Sequence, residues 1–146
     1  MTIKTLNIKY KPQKLNDISL PKNMRSILDT LISIDDFFLL INGPSDSGKT
    51  TLLNCIIRDY YGLSKEQNIP ENNIIFINSL KEQGVNYYRN EMKTFCQTSS
   101  TIHGKKKIVV IDDMDTLNDQ SQQVFRNYID KYKHNVNFIC SCNSME

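Results

Sequence analysis

The chain has 146 residues, a formal net charge of +2, 39% hydrophobic residues and 23% charged residues. Five Gly and four Pro are too few for a disordered or low-complexity chain, and the length suits one domain with its own hydrophobic core. No apolar run is long enough for a transmembrane helix, and the N-terminus lacks the apolar region of a signal peptide. We therefore expect a protein that is not secreted and that stays inside the cell.

The four cysteines include no CxxC pair and no Cys/His cluster, and neither histidine has a nearby ligand partner. This pattern favours reduced, buried thiols over a metal site.

In chain order, an N-terminal arm (residues 1–20) precedes a helical pattern at 21–33. An apolar run at 37–41 ends at Gly43 and is typical of a strand buried on both faces, and a helix follows at 49–61. Further strands are predicted at 73–78, 107–112 and 136–143, and further helices at 86–98 and 119–132. This alternation predicts one α/β domain, residues 21–146, with a mainly parallel sheet and helices on both faces.

Residues 43–50 read Gly-Pro-Ser-Asp-Ser-Gly-Lys-Thr and match the phosphate-binding loop GxxxxGK[ST] between a strand and a helix. Backbone N–H groups of such a loop bind phosphates, Lys49 reaches the β and γ oxygens, and Thr50 offers a hydroxyl to Mg²⁺. A glycine-rich turn before a helix would explain the glycines but not Lys49 and Thr50. The residues predicted to bind nucleotide here are Gly43, Pro44, Ser45, Asp46, Ser47, Gly48, Lys49, Thr50 and Thr51.

Two carboxylates, Asp112 and Asp113, follow four apolar residues at a predicted strand end, where ligands bind in open α/β sheets. This pattern is typical of a Walker B motif, in which Asp112 holds Mg²⁺ and Asp113 orients the attacking water as a general base. A solvated turn is the alternative. Asn143 ends the last strand on the same edge and is a candidate for contacting the γ-phosphate or the water, although an Asn there is also a common turn former.

The predicted helix at 86–98 has an apolar stripe and a polar side that carries Arg89 and Lys93. These two cations are four residues apart and are placed to follow the phosphates of one DNA strand, although an ordinary solvated face has the same pattern. We interpret the three lysines 105–107 as a solvated loop.

Six segments together resemble the small subunits of replication factor C and related AAA+ sliding-clamp loaders. Residues 10–18 are similar to the family's YRPK-x-L-x-D segment, and 76–85 to its NAS-x-ERGI stretch. Residues 89–95 are similar to its RNKIKTF helix, and 112–115 to its DEAD or DEVD box. Residues 122–126 resemble QQALR, and 138–143 resemble the strand that ends in the sensor 1 asparagine.

This resemblance implies an ATPase that opens a ring-shaped clamp and places it on primer–template DNA. It implies ATP and Mg²⁺ as cofactors, and other clamp-loader subunits, the sliding clamp and primer–template DNA as partners. It implies no membrane and a place in the nucleus or at a cytoplasmic replication site. By resemblance, Asn143 is sensor 1, Tyr10 and Pro12 lie near the adenine, and the helix with Arg89 and Lys93 lines the DNA chamber.

Three departures from the family qualify this interpretation. Asp113 stands where the family has Glu, which retracts the carboxylate, and Lys11 replaces an Arg. The sequence ends at Glu146, before the family's Ser-Arg-Cys motif, sensor 2 region, lid and collar. We therefore expect a P-loop NTPase domain of the AAA+ type that is truncated before its fifth strand and lid. Its hydrolysis would need the assembled complex and be nearly absent in the isolated chain.

Two alternative functions stay open on the sequence. One is a non-hydrolysing AAA+ subunit in which ATP acts as a conformational ligand, and the other is the ATPase domain of a viral-type replicative helicase. A P-loop GTPase is disfavoured because the sequence contains no NKxD-like guanine-reading motif.

Overall fold

The computed structural model describes residues 5–44, 47–78 and 85–143. Ser45 and Asp46 of the phosphate-binding loop lie outside the described residues. Most of the segment compared with NAS-x-ERGI, residues 79–84, lies outside them too.

A four-stranded parallel sheet forms the centre of the described fold, as predicted. The strands are β1 (Phe38–Asn42), β2 (Ile74–Asn78), β3 (Lys107–Asp112) and β4 (Val136–Cys142). They lie in the order β1-β4-β3-β2, and every neighbouring pair is parallel. The carboxyl ends of all four strands therefore meet at one edge, which is where ligands bind in open α/β sheets.

Among these residues there are five α-helices, and the four that the sequence predicted begin and end within one residue of their predicted bounds. These four are α2 (Lys22–Ile34), α3 (Lys49–Tyr60), α4 (Val85–Gln97) and α5 (Asp119–Tyr132). A single turn, α1 (Leu6–Lys9), and three 3₁₀ turns were not predicted, since they are too short to show a hydrophobic period. The 3₁₀ turns are Leu15–Asp17, Glu71–Asn73 and Met114–Thr116.

Local residue chemistry sets the helix ends. The side chain of Asn118 accepts a hydrogen bond from the Ser121 amide at 2.8 Å and so caps the start of α5. Gly48 (φ +86°) precedes α3, and Gly62 (φ +64°) follows it, so glycine occupies both left-handed positions.

Each face of the sheet carries its own apolar core. On one face, Leu28 of α2 and Ile56 of α3 pack with Val110 and Ile139 of the sheet. On the other, Met92 of α4 and Phe125 of α5 pack with Val109, Ile111 and Phe138. The prediction of helices on both faces is therefore confirmed. All four cysteines are free and buried.

β1 corrects one prediction, because it is not buried on both faces. Phe38 is 51% exposed and Leu40 is 45% exposed. Within the described residues, β1 pairs only with β4, and the apolar core beneath α4 and α5 includes residues of β2, β3 and β4 but none of β1. α2 shows a similar difference: Leu28 is buried as its spacing predicts, whereas Met24 and Ile27 are exposed.

The three lysines before and at the start of β3 do not form a solvated loop, so that interpretation is wrong. Lys107 is 4% exposed, and its ammonium donates hydrogen bonds to the Phe95 carbonyl at 3.0 Å and to the Thr98 hydroxyl. Burial lowers the pKa of Lys107. Lys106 lies 3.9 Å from a carboxylate oxygen of Asp36. Lys107 thus connects the start of β3 to the end of α4, and Lys106 lies close to the loop that precedes β1.

A buried polar network lies at the same end. The side chain of Asn137 accepts a hydrogen bond from the Phe37 amide at 3.1 Å and donates one to Asp35 at 3.0 Å. Asp35 also accepts from the Tyr60 hydroxyl, and that hydroxyl accepts from the Lys106 amide at 2.7 Å. Asn137 therefore ties the start of β1 to β4. No helix in the described part of the chain is long and apolar enough to cross a membrane.

Candidate nucleotide-binding site

The predicted motif residues converge on one cleft of about 460 Å³ at the carboxyl edge of the sheet. The loop between β1 and α3 forms one side, and the residues after β3 and β4 form the other. The lining residues are Ser47, Gly48, Lys49, Thr50, Thr51, Asp112, Asp113 and Asn143.

The loop has the backbone geometry that its glycines permit. A β-carbon on Gly43 would lie 2.9 Å from the Ser47 hydroxyl oxygen, so the Ser47 side chain would have to shift to make room for it. Gly48 adopts φ +86°, a conformation that favours glycine, and α3 begins at the next residue. The N-terminus of α3 thus faces the cleft with its positive dipole end and free N–H groups.

Neutral acceptors surround the ammonium group of Lys49. Its ammonium donates hydrogen bonds to the Gly43 carbonyl at 2.6 Å, the Pro44 carbonyl at 2.9 Å and the Asn143 side-chain oxygen at 2.8 Å. Across the described residues, no acidic side chain lies within ion-pair distance of it. A cation held by neutral acceptors beside a helix N-terminus fits an anionic ligand such as a triphosphate.

Asp112 and Asp113 leave β3 next to a buried hydroxyl. Ser141 on β4 donates a hydrogen bond to an Asp112 carboxylate oxygen, and its oxygen accepts from the Asp113 amide at 3.0 Å. Asp113 has φ 53° and ψ 51°, a left-handed conformation that is uncommon for a residue with a β-carbon.

Asn143 joins the two sides of the cleft. Its side-chain nitrogen lies 3.4 Å from an Asp113 carboxylate oxygen as a donor, and its side-chain oxygen accepts from Lys49. Its backbone amide donates to Asp115 at 3.3 Å. The predicted sensor position is therefore in contact with both the loop lysine and the second acidic residue.

The donor set fits Mg²⁺ bound together with a nucleotide. Mg²⁺ is typically held by one or two carboxylates together with phosphate oxygens and water, rather than by a cage of protein ligands. Thr50 and the two aspartates supply oxygen ligands around the cleft. Over the ranges that the structure describes, no group of three or more His, Cys, Asp or Glu side chains could hold a metal by itself.

Two predicted contacts are not brought to this cleft. Tyr10 is 70% exposed, and neither Tyr10 nor Pro12 lines the cleft, so their place near an adenine stays a prediction. Conversely, motif reasoning did not predict Ser141. The available signal was a lone hydroxyl within the otherwise apolar run at 138–142, two residues before Asn143.

A second cleft of about 750 Å³ lies between α4 and α5 and is lined in part by Arg89. The Tyr128 hydroxyl donates a hydrogen bond to the Arg89 carbonyl at 2.8 Å and joins the two helices. Lys131 and Arg89 line an adjoining pocket of about 210 Å³, so the structure adds a cation that the helical spacing within α4 could not reveal. Lys93 is exposed one turn further along α4 and lines neither cleft.

Residues 39–146 match the model of the family described as "ATPase family associated with various cellular activities (AAA)". The chain belongs to the AAA family. The match covers the loop, the acidic pair and Asn143, and it agrees with the parallel sheet and the cleft at its carboxyl edge.

Among curated proteins, this AAA domain is similar to the replication factor C small subunit of Haloarcula marismortui. The two are 32% identical over 137 residues, which cover 92% of this chain and 40% of that protein. It is also 29% identical to replication factor C subunit 3 of Schizosaccharomyces pombe, over 92% of this chain and 38% of that protein. The family resemblance predicted from the motifs is thus confirmed, and the chain spans about 40% of the length of these relatives.

Solved structures show the same fold. A RuvB variant of Thermotoga maritima matches with a TM-score of 0.61 at 17% identity, over 92% of this chain and 42% of that one. A DNA polymerase III gamma subunit-related protein of the same organism matches with a TM-score of 0.58 at 16% identity, over 80% of this chain and 39% of that one.

Proposed function

We propose that this AAA domain is the ATP-binding part of a sliding-clamp loader subunit that acts during DNA replication. ATP binding and hydrolysis would drive the loading of a clamp on primer–template DNA, together with other loader subunits and inside the cell. The observation that carries the proposal is the meeting of Lys49, Asp113 and Asn143 in one cleft. Similarity to replication factor C small subunits over 92% of the chain supports the loader assignment over a helicase.

We assign a role in this reaction to five of the residues that line the cleft. Lys49 and the N–H groups at the start of α3 bind phosphate oxygens, and Thr50 and Asp112 hold Mg²⁺. The metal supplies neutralisation of phosphate charge. Asp113 orients the attacking water and accepts its proton, while Asn143 fixes the carboxylate through a hydrogen bond.

DNA would bind along α4 and α5. Arg89, Lys93 and Lys131 are exposed cations on these helices, and the groove between the helices is lined by amide side chains together with Asp119 and Val124. Cations and amides contact phosphates and position a duplex without reading its sequence. The proposed contact is therefore electrostatic and independent of base sequence.

A second candidate, a non-hydrolysing binding subunit, is favoured by one observation. Asp113 is shorter than Glu by one methylene, and its carboxylate lies within hydrogen-bonding reach of Asn143. In that case the cleft would bind ATP and change the contacts of the subunit with its neighbours, without hydrolysis.

The replacement Lys49→Ala tests the nucleotide site. We expect Mg-ATP binding to be lost while circular dichroism stays unchanged, because Lys49 contacts loop carbonyls and Asn143 rather than a core. Calorimetric titration with Mg-ATP is the measurement, and Lys65→Ala, an exposed lysine outside the cleft, is the control. Retained affinity in the folded Lys49→Ala protein would falsify the assignment of the cleft.

A further inference from the structure

Ser141 is a buried hydroxyl that contacts both acidic residues of the cleft. It lies on β4, is 0% exposed and stands between two buried cysteines. A serine hydroxyl has one hydrogen to donate and lone pairs to accept. Here the hydrogen goes to an Asp112 carboxylate oxygen, and the oxygen accepts from the Asp113 amide. One side chain on β4 therefore holds two consecutive residues at the end of β3.

The contact of Ser141 with the Asp113 amide stabilises the left-handed backbone conformation of Asp113. A left-handed residue with a β-carbon persists only where its surroundings hold it. The Asp113 carbonyl accepts hydrogen bonds from the Thr116 amide at 3.0 Å and the Thr116 hydroxyl at 2.7 Å. The Asp113 amide is held by Ser141 at 3.0 Å. The peptide groups on both sides of the Asp113 α-carbon are thus fixed, one from the following turn and one from β4.

The contact with Asp112 fixes the plane of a carboxylate. One Asp112 oxygen is engaged by the buried Ser141 hydroxyl, and Asp112 also lines the cleft. Hydrogen-bond partners behind metal-binding side chains orient them, and their loss typically weakens metal affinity by about 10- to 100-fold. Ser141 does not line the cleft, so its influence on a ligand passes through Asp112 and Asp113.

We propose that Ser141 is a positioning residue that sets Asp112 for the metal and Asp113 for the water. This proposal rests on the proposed function, because it assigns Ser141 a role in the metal–nucleotide site. The role is specific to the hydroxyl group rather than to the filling of space between the strands.

The test separates metal binding from nucleotide binding. A fluorescent ATP analogue is titrated into the wild-type chain and into Ser141→Ala, without Mg²⁺ and at a series of Mg²⁺ concentrations. We expect the Mg²⁺ concentration for half-maximal tightening to rise by about tenfold or more, with metal-free affinity changed by less than about twofold. Cys140→Ala is the matched control, because it also removes one heavy atom from a fully buried position of β4, and it should leave both quantities unchanged.

Several outcomes would overturn the proposal. If folded Ser141→Ala has an unchanged Mg²⁺ requirement, Ser141 only fills space between the strands. The same conclusion follows if the variant loses affinity for the ATP analogue equally with and without Mg²⁺. If Ser141→Ala does not fold, Ser141→Cys replaces it, since a thiol fills the site but donates weakly, and a wild-type Mg²⁺ requirement there is also negative. Absence of nucleotide binding by the wild-type chain overturns the proposed function itself.

Discussion

At the scale of residues, Asp113 is the residue on which the two proposed functions, hydrolysis of ATP and binding without hydrolysis, differ. Its carboxylate reaches toward Asn143 from a left-handed backbone, and a glutamate would extend one methylene further into the cleft. If the short side chain limits positioning of the water, Asp113→Glu should raise hydrolysis in the assembled complex. General-base catalysis contributes about 10²- to 10⁴-fold, so we expect a gain of about tenfold or more.

Single-turnover hydrolysis in the reconstituted complex measures this gain. Asp130→Glu, an exposed aspartate on α5, is the control for the added methylene. Normal assembly with no increase in the rate would show that the shortness of Asp113 is not what limits hydrolysis, and would leave the non-hydrolysing alternative in place.

The motif residues of the site were predictable because one rule places them. The carboxyl ends of parallel strands share an edge, so the loop after β1, the pair after β3 and Asn143 after β4 had to meet. Ser141 was not predictable by this rule. Its contact with Asp112 depends on the lateral register of β4 against β3, in which Ile111 lies beside Cys140, and no local pattern encodes that register.

At the scale of elements, β1 is an edge strand with an apolar surface in the part of the chain that the structure describes. The Phe37 carbonyl accepts a hydrogen bond from the Phe138 amide, and the Gly43 amide donates one to the Cys142 carbonyl. Because the backbone groups of successive residues in a strand point in opposite directions, the amides of Phe38 and Leu40 point away from β4. Exposed apolar edges of this kind promote pairing between chains. We therefore predict that the 146-residue chain self-associates and that Phe38→Lys shifts it toward monomer.

Light scattering over a range of concentrations measures this shift. Ile27→Lys is the matched control, because Ile27 is an exposed apolar residue of similar exposure on α2, where no backbone edge is free. A monomeric wild-type chain, or an equal effect of both substitutions, would show that the edge of β1 is not the surface responsible.

The DNA contact predicted from the sequence involves Arg89 and Lys93 on α4. Arg89→Ala combined with Lys93→Ala should weaken DNA binding equally across sequences and reduce the salt slope by about one unit for each DNA phosphate that is no longer neutralised. Fluorescence anisotropy at several salt concentrations provides the slope, and Lys131→Ala tests the cation that the structure adds.

The control for these variants is Lys22→Ala combined with Lys65→Ala. It removes the same charge from exposed positions outside α4 and α5. An unchanged slope in the Arg89 and Lys93 variant, or the same change in the control, would mean that the polar side of α4 is an ordinary solvated face.

Most helices and strands were predictable because their hydrophobic periods are strong. The burial of individual side chains within them was not predictable. The apolar run of β1 is compatible with burial on both faces, yet burial depends on which elements cover the strand, and α4 and α5 cover its neighbours instead. For Lys107 the prediction was wrong in the opposite direction, since it expected an exposed residue that is in fact buried. A run of lysines predicts exposure to solvent, but β3 lies between two other strands, and Lys107 at its start packs against the ring of Phe95.

For the whole molecule, buried thiols predict a loss of stability at alkaline pH. Burial raises the pKa of Cys55 and Cys96 to about 11 and that of Cys140 to about 12, from an ordinary value of 9.0. Above pH 9 the unfolded chain releases these protons while the folded chain keeps them. The free energy of unfolding therefore falls as the pH rises from about 9 toward these raised pKa values.

Urea unfolding between about pH 8 and pH 10.5 measures this effect. Each such thiol contributes up to about 1.4 kcal/mol per pH unit to the slope, so Cys140→Ala should lower the slope by up to that amount whatever its effect on stability at neutral pH. Equal slopes for wild-type and variant would show that Cys140 does not titrate differently in the two states.

The order of the sheet also has a consequence for how the molecule folds. Phe37 at the start of β1 bonds to Asn137, 100 residues later in the chain, and β1 finds its strand partner among the described residues only in β4. Closing so long a loop is entropically costly and tends to be slow. Because the cleft is complete only after β4 has docked, a ligand that recognises the finished cleft should slow unfolding rather than accelerate refolding.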